Sequence, residues 1–358
     1  MWLIVNAGSS SLKLKVFDGA DEVAKAFVDE IGTDGHRAAM EVGLAQAGVP
    51  LSRITAAAHR VVHGGARLTA TCRVTPEVLA AIAECVPLAP LHNPANLVGL
   101  RAVAALAPGL PQYAAFDTAF HATNPEVAVT YALPRAERDR GLRRYGFHGI
   151  SFSALVRILA GRGEVPGRLL ACHLGNGCSL AAIVNGRSVA TTMGYSPLDG
   201  LTMGTRTGGI DGNAVLRLAE LHGLERAGAI LNRESGLLGL GGASDMRVLH
   251  ASDRPEARFA LEHFAYWAVR HAGSMVAAMG GLDAVVFTGG IGENDPWTRA
   301  EILRGLGFLG VAVDAAANAR NAGQLHDASS RVAIWTVPAD EERQIALEAQ
   351  AVMAGEGK

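Results

Sequence analysis

The sequence is poor in cysteine and in net charge, and both shortages exclude classes of protein. Its 4 cysteines lack the paired short spacings of a zinc site and are too few for a disulfide framework, which predicts buried, reduced thiols. The formal net charge is -2, so the surface as a whole has no field that gathers nucleic acid or anionic lipid. We therefore expect no nucleic-acid partner, and any anionic ligand must be held by a local site.

Apolar runs long enough to cross a bilayer are missing as well. The run over residues 169–184 is interrupted by glycine and asparagine, and the run over residues 271–282 is too short. The first residues, Met-Trp-Leu-Ile-Val-Asn, lack the positive flank and the cleavage site of a secretion signal. These features predict no membrane span and a cytoplasmic location.

Two common nucleotide-binding patterns do not occur. The pattern GxxxxGK[ST] is absent, which argues against a P-loop ATPase, and no GxGxxG opens a first βαβ unit, which argues against a Rossmann dehydrogenase. Three other glycine-rich turns are present, at residues 6–11, 175–179 and 288–292. Glycine lets backbone N–H groups approach a phosphate closely because it has no β-carbon. One such turn is explained by hairpin geometry alone, but three together predict a nucleotide site.

The residue pattern predicts a mixed α/β protein with a duplicated unit. The segments NAGSSSLKL and HLGNGCSLAAI each join two apolar strands through a glycine- and serine-containing turn, and they begin the two halves of the chain. A further strand at residues 284–287 runs into the third glycine-rich turn. Helical spacing predicts helices over residues 76–85, 93–107, 151–160, 213–222, 225–234 and 255–279, and from about residue 341 onward.

Nine motifs, in order along nearly the whole chain, resemble the acetate kinase family. They are NAGSSSLKLK (6–15), HRVVHGG (59–65), PLAPLHNPANL (87–97), FDTAFH (116–121), RRYGFHGIS (143–151), HLGNGCSLAAI (173–183), TTMGYSPLDGLTMGTRTGGID (191–211), SDMR (244–247) and FTGGIGEN (287–294). The resemblance implies an α/β, two-lobed, duplicated actin-like ATPase fold of the ribonuclease H-like type, with an interlobe cleft. We expect an N-terminal lobe at residues 1–149, with a helix at 342–358 packing on it, and a C-terminal nucleotide-binding lobe at 150–341.

The same resemblance implies reversible phosphoryl transfer between ATP and acetate, giving acetyl phosphate and ADP. It also implies Mg²⁺ as cofactor, with Mn²⁺ as an alternative, a homodimer, and a role in acetyl-CoA biosynthesis. A carboxylate is already anionic at neutral pH, so it needs charge compensation rather than a general base when it attacks the γ-phosphate. Arginine's planar fork suits the charge that spreads over the phosphoryl oxygens.

Four residues are predicted by resemblance to be catalytic. Arg60 and Arg206 are expected to bind the carboxylate and the transferring phosphoryl group. His148 is expected to donate a hydrogen bond to that group, and Asp117 to orient an active-site arginine. Each has a structural alternative: a solvated arginine, a hydrogen-bonding imidazole or a turn cap.

The resemblance also predicts the remaining ligand contacts. The acetate methyl group is expected against Val62, Leu91, Phe147 and Pro197, with core packing as the alternative. ATP is expected against Lys13, His173, Asn176, Gly177, Asp245, Met246, Arg247, Gly289, Gly290, Ile291, Gly292, Glu293 and Asn294. Mg²⁺ is expected on Glu341 with Asn6 nearby, and acidic residues stabilised at a helix N-terminus are the alternative.

The chain departs from the family's pattern at a few positions. Ala339 and Asp340 stand where the family has threonine and asparagine, Ala190 replaces an aspartate, and Phe152 replaces a histidine. One methylene changes binding by only about 1 to 3 kcal/mol, so propionate or another short-chain acid stays open as the acceptor. A nucleotide switch of the actin or Hsp70 type is the remaining alternative, and it would show no carboxylate dependence.

Overall fold

The structure is a computed structural model that describes residues 1–8, 11–29, 31, 35–163 and 165–356. Ser9 and Ser10 of the first glycine-rich turn, and residues 357–358 of the expected C-terminal helix, lie outside the described residues. The contacts divide the chain into two units. Unit 1 comprises Met1–Ala122, Phe147–Ala154 and Asp340–Lys358, and unit 2 comprises Thr123–Gly146 and Leu155–Ala339.

The strands form two sheets, one in each unit. The described strands are β1 (Trp2–Ala7), β2 (Leu12–Asp18), β3 (Asp21–Val28), β4 (Ala56–Val61), β5 (Cys72–Arg73), β6 (Gln112–Phe116), β7 (Arg168–Leu174), β8 (Cys178–Val184), β9 (Arg187–Thr191), β10 (Ala284–Thr288) and β11 (Ala333–Thr336). The sheet of unit 1 has the order β3-β2-β1-β4-β6-β5, and the sheet of unit 2 has the order β11-β10-β7-β8-β9.

The helices connect and cover these strands. The described α-helices are α1 (His36–Ala47), α2 (Pro76–Glu84), α3 (Asn93–Leu106), α4 (Glu126–Val129), α5 (Arg135–Arg138), α6 (Gly149–Gly161), α7 (Gly212–His222), α8 (Leu224–Ala229), α9 (Gly236–Gly241), α10 (Met246–His250), α11 (Pro255–Ala278), α12 (Gly289–Asn294), α13 (Pro296–Gly305), α14 (Ala315–Ala319) and α15 (Glu341–Glu356). Among the described helices, none is both long and apolar enough to cross a membrane.

The two sheets repeat one topology, which confirms the predicted duplicated α/β fold. In unit 1, β1, β2 and β3 are antiparallel neighbours, and β4 and β6 continue the sheet parallel to β1. In unit 2, β7, β8 and β9 repeat the antiparallel part, and β10 and β11 repeat the parallel part. Parallel strands need a crossover, and the intervening helices supply it.

Alternation along the strands fixes which side chains enter the core of unit 1. On β1, Leu3 and Val5 pack with the residues of α1 and α3 on one face of the sheet. Trp2 and Ile4 point to the other face, where Ile345 of α15 joins their cluster. This follows from the two-residue period of a strand, and it places the C-terminal helix on the first sheet.

Residues 123–146 group with unit 2 instead of continuing the N-terminal part of the chain. The Thr123 hydroxyl donates to the Ser188 carbonyl at 2.7 Å. The Arg144 guanidinium donates to the carbonyls of Thr192 and Met193 at 2.8 and 2.9 Å. These hydrogen bonds to β9 and to the loop after it explain why residues 123–146 group with unit 2.

The third glycine-rich segment joins a strand to a helix. Gly289, which directly follows β10, has φ +80°, and residues 289–294 form the short helix α12. The Glu293 side chain fixes this helical turn by accepting a hydrogen bond from the Gly289 N–H at 3.0 Å. Glycine at position 289 therefore allows the strand and the helix to join without an intervening loop.

Candidate active site

Arg60 and Asp117 form a two-pronged ion pair at the ends of neighbouring parallel strands. Arg60 lies near the end of β4, and Asp117 follows β6 directly. Arg60 Nε donates to Asp117 Oδ1 at 3.2 Å and Nη2 donates to Oδ2 at 2.7 Å. Asp117 is buried, while the Arg60 side chain stays 23% exposed. The carboxylate therefore fixes the plane of a guanidinium that still reaches solvent.

Neighbouring carboxylates stabilise the positive charge of Arg60. Burial alone lowers the pKa of Arg60, but the Asp117 carboxylate, helped by Glu341, outweighs it and raises the pKa above its ordinary value. Arg60 Nη1 also lies 3.5 Å from Asn6 Oδ1 at the end of β1. The expected metal residues Asn6 and Glu341 thus both interact with this arginine.

His148 is held next to Asp117 by an unusual backbone. It has φ +57°, a left-handed conformation that side-chain-bearing residues seldom adopt and that is frequent at functional sites. The next N–H, that of Gly149, donates to the Asp117 carbonyl at 2.8 Å. A β-carbon at residue 149 would lie 2.3 Å from that same oxygen, so only glycine fits there.

The expected acetate-pocket residues of unit 1 are well packed. Val62 and Phe147 are buried, and Leu91 is half-buried. The Val62 N–H donates to Asn96 Oδ1 at 3.0 Å. The Phe147 carbonyl accepts from His121 Nε2 at 2.9 Å, and burial lowers the pKa of His121 to about 4, so this histidine is neutral.

Arg206 differs from Arg60 in its surroundings. It lies in unit 2, and its Nη1 donates to the carbonyl of Pro197, the remaining acetate-pocket candidate, at 2.7 Å. Burial lowers the pKa of Arg206, and Cys178 offsets this only in part. No carboxylate among residues 11–29, 35–163 and 165–356 forms an ion pair with it. A half-buried guanidinium that, among the described residues, donates to a carbonyl and pairs with no carboxylate has its charge available for an anionic ligand.

The Arg206 loop is held by a close backbone approach. Gly236 has φ +64°, and a β-carbon there would lie 2.1 Å from the Met203 carbonyl oxygen and 2.6 Å from that of Arg206. The Leu237 N–H donates to the Met203 carbonyl at 2.9 Å, and the Ser235 N–H donates to that of Thr205 at 3.0 Å. The start of α9 therefore determines the path of the loop that carries this arginine.

Unit 2 contains a cavity of about 750 Å³ where the expected ATP contacts meet. Its lining includes these predicted residues: Asn176, Asp245, Met246, Arg247, Gly290, Ile291 and Asn294. Sequence reasoning missed other residues that line it: Gly175, Ser244, His250, Asp295, Pro296 and Trp297. The cavity is in the size range of small-molecule sites, and it opens beside the second and third glycine-rich segments.

Several expected ATP contacts have structural partners at the edge of this cavity. Asp245 caps α10 and pairs with Arg247 at 2.6 Å, and these hydrogen bonds lower the pKa of Asp245 to about 2. Glu293 accepts from the Ala339 N–H at 2.9 Å in addition to capping α12. The Gly177 carbonyl accepts from the Gly175 N–H at 3.0 Å.

Gly177, Glu293 and the remaining expected ATP contacts are not among the residues that line the cavity. His173 lies half-buried on β7, and the buried glycines Gly289 and Gly292 lie in α12. Lys13 belongs to unit 1, where its ammonium group pairs with Glu342 Oε1 at 2.6 Å.

Glu342 is a charged residue that the sequence reasoning missed. It is buried at the start of α15, and its second oxygen lies 3.6 Å from Lys15 Nζ. Burial raises the pKa of Glu342, but the hydrogen bond and charge of Lys13 and the charge of Lys15 lower it below its ordinary value. The two adjacent glutamates at 341–342 were the sequence signal that could have identified Glu342, because one of two neighbouring carboxylates at the start of a helix can face the protein interior.

The donor set expected for Mg²⁺ consists of oxygen atoms. Asn6 supplies an amide oxygen and Glu341 a carboxylate, which are ligands that Mg²⁺ accepts while it keeps several waters. In the part of the chain that the structure describes, no three His, Cys, Asp or Glu side chains gather as a metal cluster. The amide and carboxylate oxygens of Asn6 and Glu341 thus match the donor type that Mg²⁺ prefers.

Comparison with known proteins identifies relatives over nearly the full length. The family model of the Acetokinase family matches residues 44–347. The acetate kinase of Rhodopseudomonas palustris is 43% identical, with 96% of each chain covered. The solved structure of Porphyromonas gingivalis acetate kinase is 35% identical with a TM-score of 0.90, covering 98% of this chain and 99% of that one. A propionate kinase from Francisella tularensis is 33% identical with a TM-score of 0.91, over 98% and 99% of the two chains.

Proposed function

Because the chain belongs to the acetokinase family, we propose that it transfers the γ-phosphoryl group of ATP to the carboxylate of acetate, giving acetyl phosphate and ADP, and catalyses the reverse reaction. The pair of Arg60 and Asp117 is the observation that supports this best. It presents an oriented cation that Asp117 does not fully enclose. Such a group binds a small carboxylate in two-pronged geometry.

In this mechanism one oxygen of the acetate carboxylate forms the new bond to the γ-phosphorus while the bond to the β,γ-bridging oxygen breaks. Arg60 binds and orients the carboxylate, and Arg206 compensates the charge that spreads over the phosphoryl oxygens. His148 donates a hydrogen bond to the same oxygens. No proton has to leave the nucleophile, since acetate is ionised at neutral pH.

The cavity of unit 2 is proposed as the ATP site. The residues at 175–176 and 290–291 suit the phosphates because glycine allows close backbone approach. The residues at 244–247 suit the ribose and the base. Lys13 is proposed to contact phosphate, with Glu342 fixing its position.

Mg²⁺, with Mn²⁺ as an alternative, is proposed as the cofactor on Glu341 and Asn6. Held by these two side chains, the ion would neutralise part of the negative charge of the phosphates. We further propose a homodimer and a role in acetyl-CoA biosynthesis, which rest on the family resemblance, and a cytoplasmic location, which rests on the sequence features described above.

Propionate is the second acceptor to consider, because a propionate kinase is among the similar solved structures. Val62, Leu91, Phe147 and Pro197 are proposed to surround the methyl group of acetate. An added methylene changes binding by about 1 to 3 kcal/mol. Comparing kcat/KM for acetate, propionate and butyrate separates the two functions, and the proposal requires acetate to be preferred.

Hydroxamate formation tests the reaction class. ATP turnover is measured in hydroxylamine with and without acetate, because acetyl phosphate is trapped as acetohydroxamate. We expect ADP and hydroxamate to appear in equal amounts and only with acetate. ATP hydrolysis that is independent of acetate would instead indicate a nucleotide switch.

The role of Arg206 is tested in the same assay. Arg206→Ala is expected to lower kcat by about 100- to 1000-fold, the loss typical of removing one charge-stabilising donor. Arg217→Ala, which removes an exposed arginine of unit 2, is the matched control and is expected to leave kcat unchanged. Wild-type turnover by Arg206→Ala at saturating acetate would contradict the assignment.

A further inference from the structure

The cavity of unit 2 contains a histidine that is rigidly oriented by its neighbours. His250 Nε2 lies 2.9 Å from Asp295 Oδ2. Asp295 is itself fixed, because Oδ1 accepts from the Thr298 N–H at 3.0 Å and Oδ2 accepts from the Thr298 hydroxyl at 2.7 Å. His250 and Asp295 line the cavity, and Asp295 caps α13, the helix that contains Thr298.

This arrangement determines which nitrogen of His250 is left for a ligand. A carboxylate accepts hydrogen bonds, so Nε2 carries the hydrogen that is shared with Asp295. In a neutral imidazole the other nitrogen, Nδ1, is then an acceptor. Nδ1 forms no hydrogen bond within the described part of the chain, and the ring lines the cavity.

Trp297 supplies an aromatic surface beside this histidine. Its ring lies edge-on to the His250 ring, with centroids 5.3 Å apart and planes at 71°. Trp297 lines the same cavity and remains 37% exposed, although an indole gains more from burial than most side chains. An exposed indole at the wall of a nucleotide-sized cavity is suited to cover the face of a base.

Resting on the proposed ATP site, we propose that His250, oriented by Asp295, selects the base of the nucleotide and that Trp297 covers the face of that base. An acceptor nitrogen pairs with the 6-amino group of adenine, which is a donor. Guanine carries the acceptor O6 at that position, so Nδ1 would face a second acceptor. The arrangement therefore favours adenine nucleotides over guanine nucleotides, while Trp297 strengthens the binding of both.

Binding of ADP and GDP to the full-length protein tests this separately from catalysis. The ratio of the GDP to the ADP dissociation constant is measured by calorimetry. It is expected to fall about 5- to 10-fold in His250→Ala, because ADP loses one hydrogen bond to the protein. His250→Asn places a carbonyl oxygen near the position of Nδ1 and is expected to restore the ratio. His222→Ala, which removes an exposed histidine of α7, is the matched control with an unchanged ratio.

Trp297 has a different signature. Trp297→Ala is expected to weaken ADP and GDP about equally, and Trp297→Phe is expected to retain most of the affinity. Suppose that the wild-type protein forms hydroxamate. An unchanged ratio in folded His250→Ala, or unchanged affinities in Trp297→Ala, would then overturn this inference but leave the proposed function standing. A wild-type protein that binds neither nucleotide and forms no hydroxamate would overturn the proposed function as well.

Discussion

At the scale of single residues, the structure separates two kinds of arginine. Arg60 has a buried carboxylate partner that keeps it charged and fixed, whereas Arg206 has a carbonyl partner and a pKa lowered by burial. A pre-oriented cation suits a substrate carboxylate. A cation with uncompensated charge suits a group whose negative charge grows during the reaction. The sequence motifs predicted both residues, but only the contacts distinguish their surroundings.

Asp117→Asn is a test at this scale. The substitution keeps the shape of the side chain but removes the charge that orients Arg60, and small misplacements of a positioning group cost about 100-fold in rate. We expect kcat/KM for acetate to fall by about that factor. Asp283→Asn removes the same kind of pair from the more exposed Arg168 and is expected to leave kcat/KM unchanged. Equal effects of the two substitutions would show that Asp117 does not act through the site.

Several pairings between residues cannot be predicted from the sequence. The expected phosphate contact Lys13 pairs with Glu342, and the pairing depends on how a helix more than 300 residues away docks on β2. His250, Asp295 and Trp297 were missed for the same reason, since α10 and the start of α13 meet only in three dimensions. Residue type and spacing identify local motifs, whereas such pairs are set by packing.

At the scale of elements, most long helices could be predicted because their apolar spacing and caps are local. The helices α2, α3 and α11 begin at the predicted residues, and Thr75 caps α2 with an added proline in its first turn. The segment 225–234 was predicted as one helix but is α8 followed by a π-helix at Ile230–Glu234. Gly228 lies in that segment, and the Ser235 hydroxyl, just after it, donates a hydrogen bond to the Ile230 carbonyl. Helix propensity along the sequence does not predict a change from α-helix to π-helix.

Gly149→Ala tests how α6 docks against Asp117. The new β-carbon would lie 2.3 Å from the Asp117 carbonyl oxygen, so the helix start must shift. We expect a loss of about 1 to 3 kcal/mol in the free energy of unfolding, together with reduced kcat because His148 moves. Urea denaturation and the hydroxamate assay provide the two measurements.

Gly161→Ala is the matched control in the same helix, because its β-carbon would meet no atom within 4 Å. It is expected to be neutral or to stabilise the protein by about 0.4 to 1 kcal/mol. A destabilisation equal to that of Gly149→Ala would contradict the steric account.

Glu342→Gln tests the electrostatic attachment of α15. The pKa of Glu342 is lowered in the folded protein from its ordinary value of 4.5, so its ionised form stabilises the fold above that pH. This stabilisation is lost as the pH falls through the lower folded-state pKa. We therefore expect Glu342→Gln to lower the free energy of unfolding at pH 7 and to have a smaller effect below about pH 4.

Urea denaturation at both pH values checks this dependence. Glu220→Gln, in an exposed pair with Arg217, should change the free energy of unfolding by less than about 1 kcal/mol at either pH. A pH-independent effect of Glu342→Gln would contradict the role of its charge.

At the scale of the whole molecule, the chain contains two similar sheets, and the proposed site residues are divided between the two units. Each unit repeats a sheet in which three antiparallel strands precede two parallel ones. The equivalent hairpins then diverged: β1 and β2 carry Asn6 and Lys13, whereas the turn between β7 and β8 carries Asn176 beside the cavity. The repeat was predictable from its two similar turns, and the resemblance also implied that the C-terminal helix packs on the N-terminal lobe. The grouping of residues 123–146 with unit 2 was not predicted.

The decisive question for the whole molecule is which oxygen becomes bonded to phosphorus. The enzyme is supplied with ATP and acetate labelled with ¹⁸O in both carboxylate oxygens, and the product is observed by ³¹P NMR before hydrolysis. We predict acetyl phosphate whose phosphorus signal is shifted upfield by one ¹⁸O, because the acetate carboxylate has attacked the γ-phosphorus directly. Release of inorganic phosphate without any acetate-dependent, labelled acetyl phosphate would contradict the proposed reaction.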